Sequence, residues 1–394
     1  MKLTTKNYYR LAVSAFFFIM GLTFSTWACR IPDIKKAMEL TEAGLGAVLL
    51  FIPIGQLSVL IFLGKLIEKY GSKLFTIISA IFFPFTLILI GLAKTPAMLS
   101  GALFFFGMGC NMFNISVNTQ GVGVQKIYGR SIMATFHGLW SVAGFLGGLV
   151  GSLLASGEVA PLRHFSIILG LCCVLNIIFY RWLMPRDKSR KDYLVQEFQA
   201  KPKTKLKFAM PERIIIILGV IVFSNLACEG TMMDWSGVYF EKIIQPSEQY
   251  VRLGYIAALS TMALGRFLAD KLVMRLGYIR VLLASGALVF MGLMLAVCLP
   301  YLIPATLGFM LVGFGVSAVV PICYSIAGRI TSVSAGVALT TVSSIGFFGF
   351  LVAPPVIGFI AELSNLRWSL AVMAVVGLLA AALAPMLKKE KVKL

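Results

Sequence analysis

The stretch GKLIEKYGSKLF, residues 64–75, has a second copy in the chain, DKLVMRLGYIRV at residues 270–281. Both copies contain Lys-Leu, then a basic residue, then glycine, in the same register. Each copy lies between two long apolar runs. The glycine-rich runs FHGLWSVAGFLGGLVG and TTVSSIGFFGFLVAPPVIG correspond at nearly the same spacing. Such a repeat predicts two related halves, with any solute site at the interface between them.

The composition of the chain predicts a membrane protein. Its 394 residues are 59 % hydrophobic, with a mean hydropathy of +0.91, whereas soluble domains are roughly half apolar and about a quarter charged. Apolar runs of about 20 residues recur from end to end, each long enough to cross a ~30 Å hydrocarbon core as a helix. We therefore predict an all-α integral membrane protein with twelve transmembrane helices in two pseudo-symmetric six-helix halves. The predicted spans are 11–29, 43–63, 74–93, 97–118, 132–156, 163–184, 213–233, 250–269, 279–299, 302–325, 335–361 and 368–387.

The basic residues of the chain are distributed by membrane side. A formal charge of +19 could indicate nucleic-acid binding, but the Lys and Arg residues lie at alternate ends of the predicted spans and form no single basic face. By the positive-inside rule, this alternation places both termini in the cytoplasm, which requires an even number of spans. The connection 185–212 has eight Lys or Arg against four acids. We interpret it as a cytoplasmic linker between an N-terminal half, 1–184, and a C-terminal half, 213–394.

The sequence lacks the motifs of ATP-driven pumps and of hydrolytic enzymes. It contains no GxxxxGK[ST], HExxH or GxSxG pattern, and its only histidines are His137 and His164. The seven cysteines include no CxxC pair, so we interpret them as small apolar packing residues. We therefore predict that the chain is not an enzyme and uses no metal or cofactor.

The first copy of the repeat carries a resemblance to a known family. GKLIEKYGSK resembles the loop signature Gly-x-x-x-Asp-Arg/Lys-x-Gly-x-Arg/Lys of the major facilitator superfamily, through Gly64, Lys69, Gly71 and Lys73, with Glu68 in place of the usual Asp. Twelve spans, the division into six and six, and the basic middle loop extend the resemblance to the whole chain. Within the superfamily, WACRIPDIK, NISVNTQGVGVQKIYGR and ATFHGLWSVAG are similar to the branch of bacterial inner-membrane carriers that contains the fucose permeases.

The resemblance implies a carrier whose central cavity opens alternately to the two sides of the membrane. The loop signature would close the cytoplasmic side when the cavity opens outward, and the corresponding connection in the second half would do the same. We assign Arg266 to this second connection rather than to a solute site. The residues of the expected cytoplasmic gate are Gly64, Glu68, Lys69, Gly71, Lys73, Asp270 and Arg275.

Two acidic residues in EGTMMDWSGVYF, 229–240, lie at the end of an apolar run. A rise of ~1.5 Å per residue from Arg213 puts Glu229 about 24 Å and Asp234 about 31 Å across the membrane. The same measure puts Arg30 at the depth of Asp234, which predicts an outer gate pair of Arg30 with Asp234 or with Glu229. Asp234 and Arg30 are alternatively interfacial charges that meet water, and Asp234 alternatively binds solute or a proton. We predict that Glu229 is the proton-coupling site, because a charge buried in the membrane is usually paired or functional.

Polar side chains within other spans are candidates for solute binding. Asn111, Asn114 and Asn118 share one helical face, where they either hold helices together or bind a polar solute. His137 and Trp140 share a face of the fifth span; His137 either packs or acts at the cavity floor, and Trp140 either stacks on the solute or anchors the helix at the interface. The candidate solute-binding residues are Asn111, Asn114, His137, Trp140, Gln56 and Asn225.

Taken together, these residues predict a secondary active transporter that operates by alternating access. We favour proton coupling and a small polar organic solute such as a sugar or a sugar-like metabolite. The alternative is an exporter of amphipathic compounds, such as drugs or siderophores, because the 30 Phe and 18 Met could line an adaptable apolar cavity. The expected partners are the solute, protons and the lipid bilayer, with the protein as a monomer that binds no nucleic acid.

Overall fold

The computed structural model describes residues 5–60, 62–129, 132–185, 212–327, 330 and 335–389. Within these ranges the regular structure is helical, without a strand. Several helices begin at a capping side chain: the Oγ1 atoms of Thr41 and Thr95 accept hydrogen bonds from backbone N–H groups three residues later, at 3.1 and 3.2 Å. The α-helices before the middle connection are α1 Thr5–Ala28, α2 Ile31–Ala37, α3 Glu42–Leu49, α4 Phe51–Leu60, α5 Leu63–Tyr70, α6 Ser72–Leu92, α7 Pro96–Tyr128, α8 Met133–Ser156 and α9 Pro161–Phe179.

A second series of α-helices follows the middle connection. The side chain of Asn365 caps the last long helix by accepting from the backbone N–H groups of Arg367 and Trp368. The described helices of this part are α10 Arg213–Tyr239, α11 Leu253–Leu276, α12 Tyr278–Cys298, α13 Leu302–Val316, α14 Val319–Ala327, α15 Ala335–Leu363, α16 Leu366–Leu383 and α17 Met386–Lys389.

The membrane-spanning helices agree with the predicted count of twelve. Eleven helical segments of the described chain are long and apolar enough to cross a membrane. The twelfth is α11, whose 24 residues span about 36 Å, and its charged residues lower its hydropathy. Three of these segments contain a pair of α-helices, α1 with α2, α3 with α4, and α13 with α14.

We call α1–α9 the first group of helices and α10–α17 the second group. The helices pack in the same pattern in both groups, as the sequence repeat predicts. In the first group α1 packs on α8, α4 on α7, and α6 on both α7 and α9. In the second group the equivalent pairs form: α10 packs on α15, α11 on α13, and α12 on both α13 and α16. Each helix of these pairs therefore has a counterpart with an equivalent neighbour in the other group.

The two groups meet mainly through α3 against α15 and through α8 against α11. Small residues permit these contacts, because the backbones of Gly46 and Gly358 lie against each other without a side chain between them. The α8 glycines serve both sides of their helix: Gly147 contacts α1, and Gly148 contacts Tyr255 of α11. We call the face where α1 ends and α11 begins the far face, and the opposite face, where α1 begins and α16 ends, the near face.

Each copy of the sequence repeat contains a turn at a glycine, and the two turns have the same backbone conformation. Gly71 has φ 91° and ψ 150°, and Gly277 has φ 79° and ψ 153°. This conformation strains any residue with a Cβ. The repeat therefore reflects a shared turn as well as a shared pattern of charge.

The expected cytoplasmic gate residues surround these turns on the near face. Lys69 lies over the ring of Tyr70, and Lys73 donates to the carbonyl of Arg181 at 3.4 Å. A Cβ at Gly64 would meet no atom within 4 Å, and Arg275 is exposed. The side chains of Glu68 and Asp270, like residues 186–211 of the predicted linker, lie outside the described residues. The gate motif and the domain boundaries therefore stay predictions.

Candidate functional site

An ion pair lies in the middle of the membrane-spanning region. Glu229 of α10 and Arg266 of α11 approach with Oε1 to Nη2 at 3.3 Å, and their side chains are 10 % and 21 % exposed. Arg266 lies thirteen residues after Leu253 and ten before Leu276, so it is about 15 Å from the nearer end of its helix. We call Glu229 and Arg266 the mid-membrane pair.

The position of Arg266 corrects its assignment to the cytoplasmic gate. The eighth span was expected to end at residue 269, which would have placed Arg266 within a turn of its end. Helix α11 instead continues to Leu276, so that Arg266 lies near the membrane centre. There its guanidinium group reaches a carboxylate of the neighbouring helix, which the sequence spacing did not indicate.

Arg266 also connects the two groups of helices. Its Nη1 donates to the Oγ of Ser141 at 2.7 Å, and its guanidinium carbon lies 5.2 Å from the centroid of the Trp140 ring, within the range of a cation–π contact. One turn earlier on α8, His137 packs edge-on against the ring of Phe17 at 5.2 Å. The structure thus brings Glu229, Trp140 and His137 to one region, as expected of solute- and proton-binding residues. It adds Arg266 and Ser141.

The asparagine stripe of α7 forms local contacts instead. Asn111 Nδ2 donates to the carbonyl of Gln56 at 2.7 Å, and Asn118 Nδ2 donates to Asn114 Oδ1 at 2.7 Å. Asn111 and Gln56 therefore join α7 to α4, which supports the interpretation as helix-joining residues for that pair. Asn114 is exposed, so its amide group remains accessible to a solute.

Asn225 lies inside the second group of helices. It is 4 % exposed, and its Nδ2 has no hydrogen-bond partner among the described residues. It borders a small void together with Ser285 of α12 and Gly377 of α16. This void is enclosed by the second group alone, so Asn225 is separated from Trp140 and His137.

A second charged cluster closes the far face. The carboxylate of Asp33 binds Arg30, with Nη1 to Oδ2 at 2.8 Å, and its other oxygen binds Nη2 of Arg252. The Arg252 Nε also donates to the carbonyl of Cys29 at 2.9 Å. Because Asp33 follows α1 and Arg252 precedes α11, this cluster ties the two groups together. We call Arg30, Asp33 and Arg252 the far-face cluster.

The far-face cluster replaces the expected pairing of Arg30 with Asp234 or Glu229. The remaining donors of Arg30 bind the carbonyl of Val159 at 2.8 Å and the Nδ1 of His164 at 3.2 Å. Asp234 is half-buried and forms no ion pair within the described part of the chain. The physical reason is local: α1 ends at Ala28 and α2 begins at Ile31, so the turn of α2 brings Asp33 next to Arg30.

Sequence reasoning missed Asp33 and Arg252, although each had a signal. Asp33 follows Arg30 by three residues in CRIPDIK, a spacing that places side chains side by side on a helix. Arg252 is a lone basic residue at the start of the eighth apolar run, on the face where basic residues are few.

Further polar contacts surround the far-face cluster. Glu42 binds Lys35 at 3.1 Å and Lys242 at 3.8 Å. The carboxylate of Glu362, at the end of α15, accepts from the backbone N–H of Ala43 at 3.3 Å. These contacts join the start of α3 to the second group, so polar bonds between the groups occur at several points of the far face.

Comparisons with known proteins agree with this architecture. A sequence profile described as Major Facilitator Superfamily matches residues 11–303 and 238–393. An uncharacterized MFS-type transporter of Yersinia pestis is 33 % identical over 367 residues, covering 93 % of this chain and 92 % of the relative. The crystal structure of the nucleoside transporter NupG superimposes with a TM-score of 0.73 at 14 % identity, covering 99 % of this chain and 100 % of NupG. The E. coli fucose:proton symporter FucP, in its outward conformation, gives 0.63 at 14 % identity, covering 96 % and 98 %.

Proposed function

The chain belongs to the major facilitator superfamily and is a multi-pass membrane transporter rather than an enzyme, and we propose that it carries a small polar organic solute together with a proton. The observation that carries this proposal is the mid-membrane pair. A carboxylate and a guanidinium group at this depth are costly, at ~2.5–3.5 kcal/mol each on insertion scales. Such a cost is usually associated with a function.

The exposure of the pair suits proton exchange. Both side chains are partly accessible, as exchange of a proton or of a binding partner requires. Protonation of Glu229 would remove the charge that faces Arg266 and release the guanidinium group to other partners. A proton-dependent change at the site would thereby be coupled to the solute and, through the Ser141 contact, to the opposite helix group.

The far-face cluster suggests how access alternates. The cluster links the end of α1 to the start of α11 and so holds the two groups together at the far face. We therefore propose that the described conformation opens toward the near face. The basic connections on the near face place it in the cytoplasm by the positive-inside rule. The protein would then lie in a bacterial inner membrane with both termini inside, and it would act as a monomer.

The character of the solute rests on the side chains near the mid-membrane pair. Trp140 offers a flat ring, while His137 and Ser141 offer hydrogen-bonding groups. NupG is a nucleoside transporter and FucP a fucose:proton symporter. Nucleosides and fucose are both polar compounds that contain a sugar ring. We propose a sugar or sugar-like metabolite on these grounds.

The test is solute-driven proton movement in proteoliposomes that contain a pH-sensitive dye. Sugars, sugar acids, nucleosides, siderophores and amphipathic drugs are added outside in turn to the wild-type protein. We expect at least one polar solute to acidify the lumen, with the signal lost in Glu229→Gln and kept in Glu248→Gln, because Glu248 is exposed on the far face. Solute uptake without acidification would refute proton coupling. A response to amphipathic compounds alone would favour the exporter.

A further inference from the structure

Arg266 occupies a special position among the basic residues. It is the one Lys or Arg of the described residues that lies more than two helical turns from both ends of its helix. A guanidinium group has five N–H donors. Two of them bind Ser141 and Glu229, and the other three have no partner within the described ranges. Arg266 thus has donors available for a further ligand at the membrane centre, besides those that bind Ser141 and Glu229.

The contact between Arg266 and Glu229 is weak for an ion pair of this kind. It involves one oxygen at 3.3 Å, whereas charge-assisted N–H···O bonds are typically about 2.7–2.9 Å and arginine commonly binds a carboxylate through two of them. Glu229 therefore leaves the fork of the guanidinium group largely unused. A second carboxylate could bind it in the bidentate geometry that Glu229 does not adopt.

We infer that the solute of this transporter carries a carboxylate, which binds Arg266 in place of Glu229 when Glu229 accepts a proton. This inference rests on the proposed function and specifies its substrate class as hydroxylated organic acids, such as sugar acids. The carboxylate would bind Arg266, the ring or hydroxyl part of the solute would lie against Trp140, and the Ser141 hydroxyl would complete the contacts on α8.

Charge balance favours an acid over a neutral solute. The empty site holds one negative and one positive side chain, so it is neutral. Binding one proton and one carboxylate anion leaves protonated Glu229, cationic Arg266 and the anion, which is again neutral. Binding a proton with a neutral solute would instead leave Arg266 uncompensated, and a net charge in the membrane interior is costly. One proton and one acid anion are therefore expected to cross the membrane together, so that no net charge is transferred.

Other titratable groups near the pair do not supply the missing counterion. His137 on α8 is the titratable neighbour of Arg266, and Tyr255, eleven residues before Arg266 on α11, lies instead near Asp234 and Cys29 toward the far face. Asp234, on the same helix as Glu229, is five residues further toward the far face. Among the described side chains, the helices packed on α10 add the following titratable or charged groups: Asp33, Lys35 and Lys36 of α2, Lys271 and Arg275 of α11, Cys323 and Tyr324 of α14, Glu362 of α15, and Arg367 of α16.

The test compares matched acid and neutral compounds by thermal stability of the purified full-length protein in detergent. The pairs are D-glucuronate with D-glucose, D-galacturonate with D-galactose, and D-gluconate with D-glucitol, each at pH 5.5 and 7.5. A ligand that binds the folded state raises its melting temperature. We expect an acid to stabilise the wild-type protein more than its neutral partner does, and more at pH 5.5 than at pH 7.5.

Variants assign the effect to the two side chains. In Glu229→Gln the stabilisation by the acid should become independent of pH, since the competing carboxylate is absent. In Arg266→Gln it should disappear, and in Arg266→Lys it should be partly retained, because lysine keeps the charge without the fork. If Arg266→Gln does not fold, the double variant Glu229→Gln/Arg266→Gln removes both charges together and should also show no response. Arg280→Gln, an exposed site, is the control and should behave as wild type.

Three results would overturn the inference: equal stabilisation by acids and neutral partners, an acid response that survives Arg266→Gln, or no response to any acid. The proposed function is tested separately by the proton signal. A neutral sugar that drives proton uptake would keep the proposed function and refute the carboxylate. An acid that binds through Arg266 without proton movement would keep the carboxylate and refute the coupling.

Discussion

Arginine and carboxylate side chains meet at two depths of this protein, and the two sites differ in composition and in exposure. In the far-face cluster two arginines share Asp33, and the side chains of Arg30 and Arg252 are 3 % and 1 % exposed. In the mid-membrane pair one arginine, 21 % exposed, meets one carboxylate, 10 % exposed, at 3.3 Å. The two arginines of the first arrangement are almost fully buried and share one carboxylate, Asp33, which is 23 % exposed, whereas the arginine of the second is itself partly exposed and meets its carboxylate through a single contact.

This difference assigns the two sites different tasks. Arg30 also binds Val159 and His164, and Arg252 also binds the backbone of Cys29, so the far-face cluster stabilises one arrangement of the helices. Arg266 retains free donors and an exposed edge, so its partner can be exchanged. Variants should therefore separate into those that change stability at the far face and those that change transport at the membrane centre.

The largest expected effect is the loss of transport in Glu229→Gln. Uptake driven by a pH gradient should fall by about 100-fold, because the amide group neither releases a proton nor neutralises Arg266 in the empty carrier. The melting temperature should fall less than in Asp33→Asn, because Arg266 is partly exposed and keeps its contacts with Ser141 and Trp140. Uptake assays in proteoliposomes and thermal denaturation measure the two quantities on the same preparation, with Glu248→Gln as the control. A variant that transports normally, or one that unfolds, would remove the contrast between the sites.

Asp33→Asn should have the largest effect on stability. The substitution leaves two arginines with almost no exposure beside a neutral amide group, and removing one partner of a buried charge pair costs about 3–5 kcal/mol. The melting temperature should fall by several degrees, and Cys29, which is buried beneath the cluster, should become accessible to a membrane-impermeant maleimide. Labelling is read by mass spectrometry at that residue, with Glu39→Gln, an exposed neighbour, as the control. An unchanged Cys29 would show that Asp33 does not hold the far face closed.

A double-mutant cycle measures the partner of Arg30 directly. Arg30→Ala combined with Asp33→Ala should show a coupling energy of about 1–3 kcal/mol, as expected for side chains in contact. The combination with Asp234→Ala should be additive within about 0.5 kcal/mol, because the two residues share no bond in the described structure. Thermal or chemical denaturation in detergent provides the energies. A larger coupling energy between Arg30 and Asp234 than between Arg30 and Asp33 would instead identify Asp234 as the gate partner.

The sequence predicted the architecture better than the pairing of its charges. Apolar runs and the repeat at 64–75 and 270–281 indicate spans and halves, because membrane thickness and backbone geometry act along the chain. Counting residues gave Arg30 and Asp234 a common depth, but depth does not specify the direction in which a side chain points around its helix. Arg266 was placed wrongly for a related reason: the end of α11 depends on packing rather than on hydropathy. The rotation of each helix, and hence the mid-membrane pair, depends on contacts between helices that a single sequence does not encode locally.

The smallest expected effects come from the neutral partners of the two arginines, and they test the comparison most directly. His164→Phe removes an acceptor for Arg30 Nε, and Ser141→Ala removes an acceptor for Arg266 Nη1. Single hydrogen bonds between membrane helices contribute roughly 0.6 kcal/mol, so each change is small in energy. Because the arginines of the far-face cluster are buried and bonded at several points, His164→Phe should lower the melting temperature slightly and leave the KM for uptake unchanged. Ser141→Ala should instead raise KM by about threefold, the factor that corresponds to that energy, with little change in melting temperature. If both variants altered stability alone, Arg266 would be a structural residue like Arg30, and the distinction between a closing cluster and an exchanging pair would fail.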